Sequence, residues 1–326
     1  MAILPGSEPL SVEAAAAELA AGSLVAFATE TVYGLGARAD NDLAVARIYA
    51  AKNRPAGHPL IVHLADPAMA GEFAAAPSEA AQRLMAAFWP GPLTVIVPRR
   101  AGRGAAAAGG QHSIGLRVPA HPVALALLRA AARLGVAGVA APSANRHGRV
   151  SPTTAQHVLH EFGPALTVLD GGPCTIGIES CIVDCTRAQP ALLRPGQLGR
   201  AALEAVLGHR LAAPDAASPR ASGTLASHYA PAAPVQLLDD VALRHRFAAG
   251  PVRGAAIVGV YSRLAPSAGP GWLHKVMPAD AAAVALELFA VLRAFDEAGV
   301  AAIWVERPPP DPAWDGVLDR LQRAAA

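Results

Sequence analysis

The basic pair in Ala51-Lys52-Asn53-Arg54-Pro55 has residue types and spacing suited to phosphate chemistry. Proline disfavours helical geometry in the residue before it, so Arg54 is expected to be extended. Two cations one residue apart on extended chain point to the same side. A polyphosphate would meet Lys52 as a point charge and Arg54 as a planar, bidentate donor. A basic helix C-terminus that complements its own dipole is the plainer use of the same pair. The chain continues as His58-Pro59-Leu60-Ile61-Val62-His63, which sends His63 to the face opposite Val62, where it can hydrogen-bond a substrate hydroxyl or carboxylate.

Other constellations sit where apolar runs give way to glycine or proline. Thr29-Glu30-Thr31-Val32-Tyr33-Gly34-Leu35-Gly36 follows an apolar strand and offers two hydroxyls and a carboxylate, as substrate contacts or as an ordinary polar turn with a capping threonine. In Ser113-Ile114-Gly115-Leu116-Arg117-Val118 the alternation buries the aliphatics and sends Ser113 and Arg117 to the other face across a bare glycine, a seat for a carboxylate or phosphate. Ala140-Ala141-Pro142-Ser143-Ala144-Asn145 ends a strand with two neutral hydrogen-bonding side chains. Ser151-Pro152 reads as a helix N-cap with proline at the first helical position, and a helix N-terminus attracts anions. Ser180 and Arg194 lie at two further strand ends, and His228-Tyr229-Ala230-Pro231 puts an aromatic pair in a bland stretch. Together these residues describe a pocket that binds anions and orients reactants. The chain has no nucleophile–base–acid triad, no Walker loop and no H-E-x-x-H.

The elements that must position these residues alternate between apolar runs and helical patterns, which predicts an α/β protein. Strands are expected at Leu24–Ala28, Leu60–Val62, Leu93–Val97, Ile114–Val118, Leu166–Leu169, Ile182–Asp184 and Leu192–Arg194. Helices are expected at Ser11–Ala21, from Asp40-Asn41-Asp42 to Lys52, from a Ser78 cap to Phe88, and at Pro122–Leu134, Thr153–Phe162 and Arg200–Leu207. Residues 209–234 are rich in proline and read as a linker between a domain at 1–208 and a second at 235–326. The second should be a small doubly wound, Rossmann-like α/β domain, with strands at Val235–Leu238, Ala255–Val260 and Ala301–Val305 and a helix at Ala281–Ala298. It lacks G-x-G-x-x-G, so nucleotide binding by that domain is unsupported.

Composition narrows the setting. Hydrophobic residues are 53% of the chain, yet much of that is alanine and no uninterrupted apolar run is long enough to span a bilayer, so no membrane association is expected. The first eight residues lack the basic start and apolar run of a secretory leader. The three cysteines form no C-x-x-C pair and no disulfide framework, so a cytoplasmic setting fits. A net charge of +2 gives no nucleic-acid signature.

Taken in order, these stretches resemble the YrdC-like family of threonylcarbamoyl-AMP synthases. The match runs through Thr29–Gly36, Lys52-x-Arg54-Pro55, Pro59–His63, Trp89-Pro90-Gly91-Pro92-Leu93-Thr94, Arg117-Val118-Pro119, Ala141–Asn145, Ser151-Pro152-Thr153, Glu179-Ser180 and Leu193–Gly196. His228–Pro231 and the appended domain resemble the longer, two-domain form. The resemblance implies a twisted α/β sheet with a large concave cavity, and an enzyme that condenses L-threonine, bicarbonate or CO2, and ATP into threonylcarbamoyl-AMP and pyrophosphate. It implies threonine contacts at Thr31, His63, Arg117, Ala141 and Ser180. It implies nucleotide contacts at Lys52, Arg54, His58, Ser113, Ser143, Asn145, Ser151 and Arg194, with Tyr229 closing from the linker. Lys52 and Arg54 would be the catalytic pair, and Mg²⁺ would be held through the phosphates, with no side-chain ligand assigned. The product would pass to a separate tRNA threonylcarbamoyl transferase, which leaves room for weak tRNA binding. His58 stands where the family more often has asparagine, and Ala221–Ser227 holds no basic residue, so no linker cation is expected on the phosphates. Rival readings are a carbamoyl-transfer module or an RNA-binding protein of the same fold.

Overall fold

The computed structural model describes residues 3–250, 257–266 and 271–326, and the chain divides into two compact units. The first comprises residues 1–147 and 151–224; the second comprises 148–150 and 225–326. The segment expected as a linker is therefore shared, since residues up to Thr224 pack with the first unit and those from Leu225 with the second.

The first unit is built on a ten-stranded mixed sheet. Its strands are β1 (Ile3–Pro5), β2 (Val25–Phe27), β3 (Gly34–Arg38), β4 (Ile61–His63), β5 (Leu93–Pro98), β6 (Ser113–Arg117), β7 (Val139–Ala140), β8 (Thr167–Asp170), β9 (Cys181–Asp184) and β10 (Ala191–Arg194). They lie in the order β1-β8-β2-β3-β7-β4-β6-β5-β9-β10. The helices are α1 (Pro9–Ala20), α2 (Asp42–Lys52), α3 (Glu79–Phe88), α4 (Pro122–Arg133), α5 (Ala155–Phe162) and α6 (Arg200–Leu207). Two of the apolar cores are built with these helices. Helices α1 and α4 pack together over Val25, Phe27 and Val139 through alanines and leucines, whereas Val45, Ile48, Leu84 and Leu203 of α2, α3 and α6 join Val62, Val95 and Leu116 in the larger core. Small alanines let the helices lie close, which is where the unusual composition is used.

Local chemistry sets the boundaries. Asn41 caps α2 by accepting the Ala44 amide at 3.0 Å, and Ser78 caps α3 by accepting that of Ala81 at 3.3 Å, both as the sequence predicts. Two expectations are corrected. Thr29–Gly36 is not one glycine turn, because Gly34–Arg38 forms β3, antiparallel to β2. Its glycines mask the strand signal yet are needed there, since a Cβ at Gly36 would lie 2.9 Å from both Phe27 and Val139. Helix α5 is capped by Thr154, which accepts the His157 amide at 3.2 Å, and not by Ser151. The Pro152 carbonyl instead accepts from the Tyr33 amide at 2.9 Å, and the backbone is still extended at Thr154, with φ −139° and ψ 160°.

The second unit carries a four-stranded, all-parallel sheet. Its elements are β11 (Val235–Leu238), α7 (Asp240–Ala249), β12 (Val258–Ser262), β13 (Trp272–Val276), α8 (Ala281–Glu297), β14 (Ala302–Glu306) and α9 (Asp315–Ala324). The order is β11-β14-β12-β13, the doubly wound arrangement expected. Edge strand β13 was not foreseen, and residues 255 and 256 of the expected second strand lie outside the described residues.

Candidate active site

Thr29 shapes the turn that leaves β2. Its hydroxyl accepts the amides of Thr31 and Val32 at 3.2 Å and donates to the Val32 carbonyl at 2.6 Å. This fixes Thr31, fully buried, with its Oγ 2.9 Å from that of Thr29. Arg117, at the end of β6, donates from Nη1 to Thr31 Oγ at 2.9 Å, from Nη2 to Glu30 Oε1 at 2.6 Å, and from Nε to the Gly91 carbonyl at 3.2 Å. Arg117 and Glu30 are both buried, so the pair is a desolvated ion pair. A guanidinium has five N–H groups, and these three bonds leave donors for a ligand carboxylate. His63 on β4 sits in parallel register beside Arg117 with its ring edge-on to Phe27. Burial, and then the Arg117 charge, push its pKa down to about 3, so it works as a neutral imidazole. Ala141 gives its amide to the Ile61 carbonyl at 2.9 Å, which leaves its own carbonyl to offer. Ser180 is also held: its hydroxyl lies 2.8 Å from that of Thr94, and Arg194 reaches its carbonyl at 2.8 and 3.0 Å and its hydroxyl at 3.3 Å.

The basic pair departs from the expected extended geometry. Helix α2 runs through Lys52, and Asn53 ends it in the left-handed conformation, φ 52° and ψ 47°. Proline at 55 constrains only Arg54. Lys52 is therefore buried and donates its Nζ to the backbone carbonyls of Ser143, at 2.5 Å, and Asn145. Burial, and then the Arg54 charge, hold its pKa well below the ordinary lysine value. Arg54 turns the other way, to the Pro59 carbonyl at 2.9 Å and Ser222 Oγ at 3.5 Å. Arg194 donates to the Ser222 carbonyl at 2.9 Å, so one linker residue meets both arginines.

The remaining candidates gather nearby. The Ser151 hydroxyl donates to Glu179 Oε1, and Asn145 Nδ2 to the Arg146 carbonyl at 2.7 Å. Ser143 pairs with Gly34 in an isolated bridge. Ser113 and Gly115 line a narrow cleft with Thr94, Ile96, Ile182 and the linker residues Arg220 and Ser222. Arg220 lies one residue before the neutral stretch Ala221–Ser227, and its guanidinium donates to the Gly109 carbonyl at 3.2 Å. His58 stacks edge-on with His147 at a ring separation of 5.5 Å, and burial and then Arg54 lower the pKa of both, that of His147 to about 4. Tyr229 packs inside the second unit, stacked on Phe289 at 5.4 Å with the Arg320 guanidinium 5.5 Å from its ring. Sequence reasoning gave no role to Thr94, His147 or Arg220, and it named the Glu30 carboxylate only as one possible substrate contact of its turn. None of the first three carried a local signal that could have been followed.

The Sua5/YciO/YrdC family model, described as "Telomere recombination", matches residues 17–196, and the model "Threonylcarbamoyl-AMP synthase, C-terminal domain" matches 198–326. The threonylcarbamoyl-AMP synthase of Bacillus subtilis is 38% identical over 95% of this chain and 92% of its own length. The chain belongs to the threonylcarbamoyl-AMP synthase family. The synthase from Pyrococcus abyssi is 41% identical over 71% of this chain and 69% of its own length. A crystal structure of P. abyssi Sua5 complexed with L-threonine superposes with a TM-score of 0.88 at 35% identity, covering 99% of this chain and 96% of that one. In this family member the expected α/β fold is thus present, with the large sheet followed by the smaller parallel one. Among the described residues no helix is long and apolar enough to cross a membrane.

Proposed function

We propose that this chain condenses L-threonine, CO2 or bicarbonate, and ATP into threonylcarbamoyl-AMP and pyrophosphate, acting as a nucleotidyltransferase in tRNA threonylcarbamoyladenosine modification. The observation that carries this reading is the Arg117–Glu30–Thr31 corner, an ion pair with spare donors set beside a neutral His63. It suits an amino acid, and the similarity to a Sua5 crystallised with L-threonine supports that choice. The second corner brings Arg54 and Arg194 together on Ser222 and sets Arg220 and Ser113 along the same cleft, which suits a triphosphate.

In this reading threonine's amine captures CO2 as a carbamate, and the carbamate oxygen attacks the α-phosphate of ATP. Pyrophosphate leaves, and no covalent enzyme intermediate forms. The enzyme's contribution is orientation and preplaced positive charge. Arg54 contacts the phosphates, while Lys52 acts on them through the Ser143–Asn145 backbone that it holds. Mg²⁺ fits as a companion of ATP: among the described residues no group of three or more His, Cys, Asp or Glu side chains could cage it, so phosphate oxygens would be its main ligands. When bound it would neutralise charge on the leaving pyrophosphate. The adenylate product would be consumed by a separate tRNA transferase.

The test is pyrophosphate release from ATP by purified protein. Release should require L-threonine and bicarbonate together. Release that continues without threonine would refute the proposal.

A further inference from the structure

Glu30 has one oxygen that the Arg117 corner does not use. Its Oε1 accepts from Arg117, whereas Oε2 is buried and meets no hydrogen-bond donor among the described residues. A buried carboxylate oxygen without a donor is costly, so a site that retains one is built for a donor that arrives with a ligand. The groups around it narrow the choice. The ionisable neighbours facing Glu30 are Arg117 on β6, His121 at the start of α4 and Cys174 after β8. Burial lowers the pKa of His121 and raises that of Cys174 to about 12, so both are neutral and Arg117 is the charged partner. The corner is a balanced ion pair with guanidinium donors spare on one side and a carboxylate acceptor spare on the other. That is the complement of an α-amino acid zwitterion, its carboxylate toward Arg117 and its ammonium toward Glu30.

We propose that Glu30 is a catalytic residue, the base that takes a proton from the substrate's α-ammonium through Oε2 before the carbamate forms. This rests on the reading that the substrate is L-threonine. The ammonium gives one proton to Oε2, which frees the nitrogen lone pair. That pair forms the N–C bond to CO2 while one C=O π bond opens to an oxyanion. The second proton leaves the nitrogen for solvent, and the product is the carbamate anion. Thr29 and Thr31 bind and shape the turn without offering a base, which leaves Glu30 as the carboxylate of that turn.

The experiment is Glu30→Gln, which keeps the size and can still accept from Arg117. At pH 7 and saturating ATP, kcat for threonine-dependent pyrophosphate release should fall by roughly 10²–10⁴-fold, the range for loss of a positioned base. The loss should shrink about tenfold for each pH unit of increase, because solvent then deprotonates the amine, while the wild type stays flat. A residue that only positions Arg117 would raise KM for threonine and leave the pH slope unchanged; that result, or unchanged kcat, overturns the proposal. If Glu30→Gln does not fold, Glu30→Asp retains a carboxylate with shorter reach. It should lower kcat more than it raises KM and keep the wild-type pH profile; a wild-type kcat would overturn the proposal. Wild-type protein indifferent to threonine would refute the substrate reading as well, and so separates the two failures.

Discussion

The two corners of the first unit handle positive charge in opposite ways. At one, Arg117 is balanced by the buried carboxylate of Glu30 and threads its remaining bonds through Thr31 and Gly91. At the other, Lys52, Arg54 and Arg194 donate to backbone carbonyls and hydroxyls of Pro59, Ser143, Asn145, Ser180 and Ser222. A carbonyl solvates a cation without cancelling its charge, whereas a carboxylate at 2.6 Å cancels most of it. The balanced corner is therefore suited to a ligand that carries both signs, and the carbonyl-held corner to one that carries several negative charges. Residue types alone, an arginine near a serine in each case, do not distinguish the two.

Removing one arginine from each corner should separate them most sharply. Arg117→Ala strands Glu30 as a buried, unpaired charge, and loss of one partner of a buried pair costs about 3–5 kcal/mol of stability. Arg54→Ala removes bonds to the Pro59 carbonyl and the Ser222 hydroxyl and strands neither acceptor as a charge, so its unfolding midpoint should move less than that of Arg117→Ala. Its cost should appear in turnover, where loss of a charged contact to developing charge is worth roughly 10²–10³-fold in kcat. Urea denaturation and pyrophosphate release measured on both variants decide the matter. If Arg54→Ala unfolds early and Arg117→Ala does not, the assignment of balanced and carbonyl-held charge is reversed.

Each corner also holds a histidine kept neutral, and acid should reveal both. The folded pKa values, about 3 for His63 and about 4 for His147, lie below the ordinary 6.5. As pH falls below 6.5 the unfolded chain takes up these protons before the folded one, so unfolding gains. The stability these groups contribute is complete above 6.5 and is lost between 6.5 and about 4 for His147, and on to about 3 for His63. Measured as urea midpoints from pH 7.5 to 4.5, His147→Gln should have a shallower acid slope than wild type. Parallel slopes would show that His147 titrates normally in the fold.

Much of this architecture was legible from capping and periodicity, because those signals are local. Asn41 and Ser78 announced their helices, and the period-two run at 113–118 announced β6. The all-parallel second sheet followed from the succession of strands and helices. What escaped depends on partners distant in sequence. The glycines of β3 look like a turn until Phe27 and Val139 are seen to press on them. Lys52 looks like a surface cation until the carbonyls of Ser143 and Asn145, some ninety residues on, are seen to surround it. Glu30 reads only as a polar member of its turn for the same reason, since its meaning comes from Arg117. Local physics fixes where a side chain starts; only tertiary packing decides which atoms it meets.

The misplaced helix cap gives the smallest effect and a clean contrast. Thr154, not Ser151, satisfies the first free amide of α5, so Thr154→Ala should cost about 1 kcal/mol of stability and leave catalysis nearly unchanged. Ser151 spends its hydroxyl on Glu179, one of two carboxylates whose charge reaches Lys52 in the carbonyl-held corner, and so bears on how strongly that negative charge is felt there. Ser151→Ala should leave the α5 cap intact and raise KM for ATP several-fold, because Glu179 loses the hydroxyl that shares its negative charge and competes more strongly with phosphate for the neighbouring cations. Its urea midpoint should move less than that of Thr154→Ala. If Ser151→Ala is instead the more destabilised of the two, with unchanged KM for ATP, the serine belongs to the helix after all, and Glu179 has no part in setting the charge of that corner.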